Sequence, residues 1–202
     1  MIASWQQQNV VPHLLLHVCC APCSSYCLEY LSQYCRITVY YYNPNITDEA
    51  EYRHRADEVK RLISELAPVH AINYMEGAFD PRLFLTAVHG LEHEPEGGAR
   101  CEVCFRLRLT DAERVAREIG ADYFTTSLTI SPLKNAALIN AIGTEIASSP
   151  LASFPLASPA PQWLPSDFKK RGGYLRSIQL SREHQLYRQN YCGCIFSRKS
   201  QS

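Results

Sequence analysis

No stretch of this chain approaches the roughly 20 consecutive apolar residues that cross a bilayer, so no membrane span is expected. The opening residues carry no basic cluster followed by a long apolar run. No secretory leader is expected, and the cytoplasm is the expected location. Net charge is missing too: 20 Lys/Arg against 20 Asp/Glu exclude a chain-wide basic field for nucleic acid. The charge is unevenly spread, however. Residues 166–202 hold eight Lys/Arg and two acids, a net +6, which suits a phosphate backbone and a solvated surface equally well. Glycine is absent where a nucleotide site would need it. The apolar run Leu14-Leu15-Leu16 reads as a buried strand and Ser24 to Leu31 as a helix, yet the connecting stretch His17-Val18-Cys19-Cys20-Ala21-Pro22-Cys23 has no glycine. That loop is not built to cradle a triphosphate.

Cysteine fills it instead. The chain has nine cysteines, an odd number that no disulfide framework explains in a reducing compartment. Cys27 and Cys35 read as small buried apolar residues. The other seven fall into three groups: Cys19/Cys20/Cys23, Cys101/Cys104 and Cys192/Cys194.

The elements around them alternate. Ile37 to Tyr42 reads as a second strand, ending in the turn Asn43-Pro44-Asn45-Ile46. Thr47 is placed to cap a helix whose buried face is Tyr52, Ala56, Val59, Ile63 and Leu66. Val69 to Ile72 reads as a third strand and Pro81 to Val88 as a short helix. A loop over 94–100 then delivers Cys101 and Cys104, and Phe105, Leu109, Ala112, Ala116 and Ile119 are spaced for a helix beyond them. Gly120 suits the C′ position. Tyr123 to Thr126 reads as a fourth strand and Leu133 to Ala147 as a helix. Residues 148–165, with five prolines, read as a flexible connection, and a helix capped by Ser181 precedes Tyr191. The expectation is a single α/β domain over 1–202, with a parallel sheet and helices on both faces. Its basic C-terminal extension, 166–202, would complete a site at the carboxyl ends of the strands.

Three chemistries fit the cysteines. Cys101-x-x-Cys104 is a chelating pair and, with Cys192/Cys194, would make a zinc ribbon. Neighbouring residues on an extended chain diverge, so Cys19 and Cys20 suit a multinuclear centre, such as an iron–sulfur cluster held with Cys101 and Cys104. Cys20-Ala21-Pro22-Cys23 is also a thioredoxin-like dithiol, which would need no metal. Cys192-Gly193-Cys194 suits a strained redox disulfide or a further ligand pair.

Several blocks resemble one family: His17–Cys23, Tyr42-Asn43-Pro44-Asn45-Ile46, Glu51-Tyr52-x-x-Arg55, Glu96–Phe105, Phe124–Leu128, Asp167-Phe168-Lys169-Lys170, Gly173-Tyr174 and Leu186–Cys194. In this order they are similar to the epoxyqueuosine reductases of the QueH type, which do not use cobalamin. The resemblance implies an ATP-binding-like (HUP or PP-loop-like) fold that carries metal in place of nucleotide. It implies reduction of a cyclopentane epoxide to the alkene at the wobble base of tRNA, the last step of queuosine synthesis. It also implies a [4Fe–4S] cluster on Cys19, Cys20, Cys101 and Cys104, and an adjacent mononuclear metal, iron, reached by Cys23. Cys192 and Cys194 become a second electron reservoir, fed by an electron donor that the residues do not identify. Asp167 and His17 are the candidate proton donors. Asn43, Asn45 and Gln189 are candidates for substrate polar groups, and Lys169, Lys170, Arg171 and Tyr174 for tRNA contacts.

Overall fold

The computed structural model describes residues 1–149 and 160–197. Its elements run α1 (Ile2–Gln8), β1 (His13–Val18), α2 (Ala21–Leu31), β2 (Arg36–Tyr41), α3 (Glu49–Glu65), β3 (Ile72–Glu76), α4 (Pro81–Ala87) and α5 (Ala99–Glu118). They continue with β4 (Tyr123–Thr126), α6 (Ala136–Ser148), β5 (Gln162–Trp163) and α7 (Gly173–Glu183). Short 3-10 turns cover Ser127–Ile130 and Ile195–Ser197.

The five strands form one parallel sheet in the order β3-β2-β1-β4-β5. Alternation along β1 decides what each face buries. Leu14, Leu16 and Val18 meet Ile37, Val39 and Tyr41 under α2 and α3. Leu15 meets Phe124 and Trp163 under α5 and α6. A fully buried Leu contributes roughly 1.5–3 kcal/mol, so a strand apolar on both faces is held firmly between the two helical layers. Helices therefore cover both faces, as the alternating pattern implies.

Several elements differ from expectation, four of them in where they begin for a plain local reason. The α3 cap is Asp48 rather than Thr47: its carboxylate accepts from Glu51 N at 3.2 Å. β3 begins at Ile72, where pairing with Ile37 starts, rather than at Val69, which is exposed. α5 begins at Ala99, so Cys101 and Cys104 lie inside its first turns rather than in a loop before it. Ser181 does not start a helix; it lies inside α7 with its hydroxyl donating to Ser177 O, and Gly172 (φ 79°) is the N-cap. Gly120, at φ 64°, does follow the end of α5 as expected.

The connection read over 148–165 falls partly outside the described residues. Its last part is ordered onto the sheet: Phe124 pairs with Trp163, and Thr125 Oγ1 donates to Leu164 O at 2.8 Å. Trp163 lies so close to α6 that a Cβ on Gly143 would stand 2.3 Å from its indole. Gly143→Ala should therefore cost about 1–3 kcal/mol by overpacking. The check is a lowered thermal midpoint; an unchanged one would mean that α6 shifts freely.

Candidate metal centre

β1 and β4 are neighbours, and the chain leaves them towards opposite edges of the sheet. The crevice past their carboxyl ends is the usual ligand position in such sheets. Here the turns after both strands line one cavity of about 520 Å³, together with α5, Lys134, Tyr174 and the segment 188–194.

At the end of β1 the chain turns directly into α2. Cys20 is the N-cap in extended conformation (φ −168°, ψ 161°), and Pro22 sits in the first turn, where no N–H is needed. Strand alternation has ended by this point, so Cys19 and Cys20 do not diverge as an extended chain would require. Their sulfurs are 3.8 Å apart. Cys23 follows one turn later, and the three sulfurs lie within 4.8 Å of one another. Hydrogen bonds from the Cys20 and Cys23 thiols hold Cys19 well below the usual thiol range. The same bond pushes Cys20 up to about 12, and Cys23 rises as well. Of the three thiols, Cys19 is thus the one favoured to give up its proton.

Cys101 and Cys104 share one face of α5 and line the same cavity without joining the close trio. Cys101 Sγ accepts from Gly97 N at 3.1 Å. Across the cavity entrance comes the Cys192-Gly193-Cys194 turn. Gly193 has φ 103°, and a Cβ there would stand 2.6 Å from Ile46, so the turn needs glycine. Arg55 and Asn45 donate to Cys192 O at 3.2 and 3.4 Å. A hydrogen bond from Cys194 holds the Cys192 thiol down at about 5, while Cys194 is pushed up. A thiolate beside its thiol is the arrangement from which a dithiol closes to a disulfide.

A sequence model described as "Epoxyqueuosine reductase QueH" matches residues 14–200. The chain belongs to the QueH family. A relative named epoxyqueuosine reductase QueH from Streptococcus pyogenes serotype M1 is 43% identical over 203 residues, covering 100% of this chain and 76% of that protein. One of the same name from Staphylococcus epidermidis is 40% identical, covering 100% and 82%. The one from Thermotoga maritima is 33% identical, covering 91% and 89%.

In this QueH-family chain the other residues singled out from the sequence separate into two sets. Asn45, Gln189 and Tyr174 line the cavity. The oxygens Asn45 Oδ1 and Gln189 Oε1 are buried without a protein partner. Asn43 lies behind the wall, donating to Val18 O and accepting from Arg108. Asp167 does not line the cavity and pairs with Lys169 at 2.8 Å and Lys170 at 3.6 Å. His17 is fully buried, with Nδ1 2.8 Å from Thr126 Oγ1 and Nε2 3.0 Å from Tyr42 O. Cys27 and Cys35 are buried in the α2 side of the core. Among the described residues no helix is long and apolar enough to cross a membrane.

Burial, and then the Arg108 guanidinium, push the His17 pKa down to about 3. Unfolded, the ring titrates near 6.5. Between those values the unfolded state binds the extra proton, so the contribution of a neutral His17 is fully present above pH 6.5 and is lost as pH falls towards 3. The slope is at most about 1.4 kcal/mol per pH unit. The thermal midpoint should thus fall more steeply from pH 7 to pH 5 in the wild type than in His17→Gln. Parallel curves would contradict a buried neutral ring.

Two cavity residues escaped the sequence reading. Arg108 follows Cys101 and Cys104 at steps that keep it on their face of α5, a spacing that pointed to it. Lys134, half-buried, has its charge favoured by Cys19, Cys192 and Cys23 although burial opposes it. Nothing in its sequence neighbourhood marks it.

Proposed function

We propose that this chain, an oxidoreductase of its family, reduces the epoxide of epoxyqueuosine in tRNA to the alkene of queuosine. In this reading Cys19, Cys20, Cys101 and Cys104 hold a [4Fe–4S] cluster, and Cys23 reaches a mononuclear iron beside it. One observation carries the proposal: six cysteines from three distant parts of the chain line one cavity at the switch point, and Cys20 joins them through its 3.8 Å approach to Cys19. The donor set fits. Sulfur predominates and Glu96 is the lone carboxylate in the lining, which suits iron–sulfur chemistry and not the oxygen-seeking magnesium or calcium. When bound, such a centre supplies single electrons and an electrophilic metal that polarises a C–O bond.

The reaction consumes two electrons and two protons and releases the epoxide oxygen as water. Cys192 and Cys194, as thiolate and thiol, hold the two electrons and one of the protons, given up when they close to a disulfide; solvent supplies the second proton and a separate low-potential donor restores the pair. The two unpartnered oxygens, Asn45 Oδ1 and Gln189 Oε1, are acceptors for substrate hydroxyls. Asp167 and His17 stand outside the lining, and in this reading they position their neighbours. Tyr174, in the first turn of α7, lines the cavity, and Lys169, Lys170 and Arg171 precede it by three to five residues, outside the lining. Those cations suit tRNA phosphates and the ring suits a splayed base, since a wobble nucleotide must leave its stack to enter a pocket. Such a substrate is met in the cytoplasm.

The test is anaerobic purification followed by iron and sulfide analysis and turnover of epoxyqueuosine-containing tRNA with a chemical reductant. Several irons with sulfide, and activity lost in folded Cys101→Ser, are expected. One zinc, or no metal with intact disulfide reductase activity, would replace the proposal with a zinc-stapled module or a dithiol enzyme.

A further inference from the structure

Arg108 takes no part in the steps above, and its surroundings are unusual for a charged side chain. It is 3% exposed. Nε donates to His17 Nε2 at 3.3 Å, Nη2 to Asn43 Oδ1, and Nη1 points to Cys104 Sγ at 4.0 Å. None of these partners is a carboxylate, and no described carboxylate forms an ion pair with it. The two other deeply buried arginines beside the site are treated differently: Arg55 pairs with Glu51 at 2.6 Å, and Arg100 Nη1 is held by the backbone oxygens of Leu91, Glu92 and Glu94. A buried guanidinium without an anion is costly. The ligand-forming groups within its reach are the sulfurs of the cavity it lines, Cys104 among them. Its neutral neighbours fix its direction. Thr126 meets the far side of the His17 ring, and Asn43 is anchored to Val18 O at 3.0 Å, so the guanidinium is clamped behind Cys104.

We infer that Arg108 is the built-in countercharge of the thiolate-bound centre, a positioning residue that raises its reduction potential through its charge and its N–H directed at Cys104 Sγ. The inference rests on the reading of Cys104 as a cluster ligand. Net charge and hydrogen bonds to ligand sulfur are two of the levers by which a protein sets such potentials. Removing a nearby positive charge favours the oxidised, less negative state.

The experiment is an EPR-monitored redox titration of anaerobically reconstituted protein, with iron and sulfide measured on each sample. Arg108→Gln should titrate at least tenfold in equilibrium below the wild type, 59 mV for a one-electron couple. Arg108→Lys, which keeps the charge, should recover most of that shift. Asn43→Asp keeps the guanidinium but gives it a carboxylate; it should lower the potential as well, and it decides the matter if Arg108→Gln does not fold. Wild-type potential in cluster-loaded Arg108→Gln or Asn43→Asp overturns the inference and leaves the cluster reading standing. Wild-type protein that assembles no cluster overturns both.

Discussion

Cys20→Ser should abolish iron binding and lower turnover by about 100-fold or more, beyond what loss of an outer partner of a metal ligand costs, with the thermal midpoint almost unchanged. The two halves of that result have separate causes. Cys20 is fully buried with its sulfur against Cys19, so exchanging sulfur for oxygen removes a soft ligand from the middle of the trio. Cys20 is also the N-cap of α2, a position with no side-chain cap at present. Serine is among the best residues there, able to accept from the free N–H of Cys23, and this offsets what the core loses with the sulfur. Fold and chemistry are thereby separated by one atom. Cys35→Ala is the matching control. Cys35 is buried at the end of α2 and donates to Leu31 O, so its loss should cost about 1 kcal/mol and leave iron and turnover as they were. Iron content measured beside a melting curve reads both variants. Full iron loading in Cys20→Ser would remove that residue from the ligand set.

How much of this could be read in advance depended on what each residue's signal consists of. β1, β2 and β4 were legible as short unbroken apolar or β-branched runs, as strands buried on both faces require, and the buried faces of α3 and α5 by their helical period, which Leu109 to Ala116 keep. α1 was not. Trp5 is its one buried residue, held by Tyr123 across 118 positions of sequence, and one residue has no period. β5 is two residues long and hides among prolines; what makes it a strand is Phe124 on its neighbour. The start of α7 rests on Gly172 in a left-handed conformation, a signal that any loop glycine can imitate.

The site divides in the same way. Its cysteines were legible from chemistry alone, because nine thiols need a purpose whatever the fold. The cations were not, because lysine and arginine are ordinary surface residues until tertiary structure buries them. Arg108 stands out by its direction, with neutral partners behind it and the Cys104 sulfur ahead, which only the assembled α5, β1 and the Asn43 turn reveal. Asp167 drew attention for the opposite reason: a carboxylate in a distinctive block attracts a catalytic reading, and the structure sets it beside two adjacent lysines. The adjacent cysteines pointed towards a metal centre through an argument that their geometry does not follow. Their sulfurs converge because the strand has already ended.

Arg55→Met should lower stability by about 3–5 kcal/mol, the usual result of breaking a buried ion pair on one side, and should abolish multiple turnover while leaving most of the iron in place. Arg55 is 1% exposed and joins α3 to the C-terminal turn. Nε pairs with Glu51, Nη1 and Nη2 donate to Cys192 O and Tyr191 O, and the guanidinium lies 5.1 Å from the Tyr191 ring centre. Methionine fills the space but leaves the Glu51 carboxylate with only the Tyr187 hydroxyl, at 3.1 Å, and releases two carbonyl oxygens from the guanidinium. The Gly193 turn packs against Ile46 and this same guanidinium, so it keeps Ile46 and the Asn45 amide but loses the guanidinium. The proposed cluster ligands sit on the β1–α2 turn and α5 and keep theirs. A single-turnover reaction with pre-reduced protein should therefore survive better than steady-state turnover, since only re-reduction needs Cys192 and Cys194 in register. Limited proteolysis should show new cleavage after residue 187, where Tyr187 N donates to Glu58 Oε2 at 2.9 Å before the loop. Equal losses in both kinetic regimes, with iron gone, would mean that the C-terminal turn belongs to the metal centre itself and that Cys192 or Cys194 is a ligand instead of a relay.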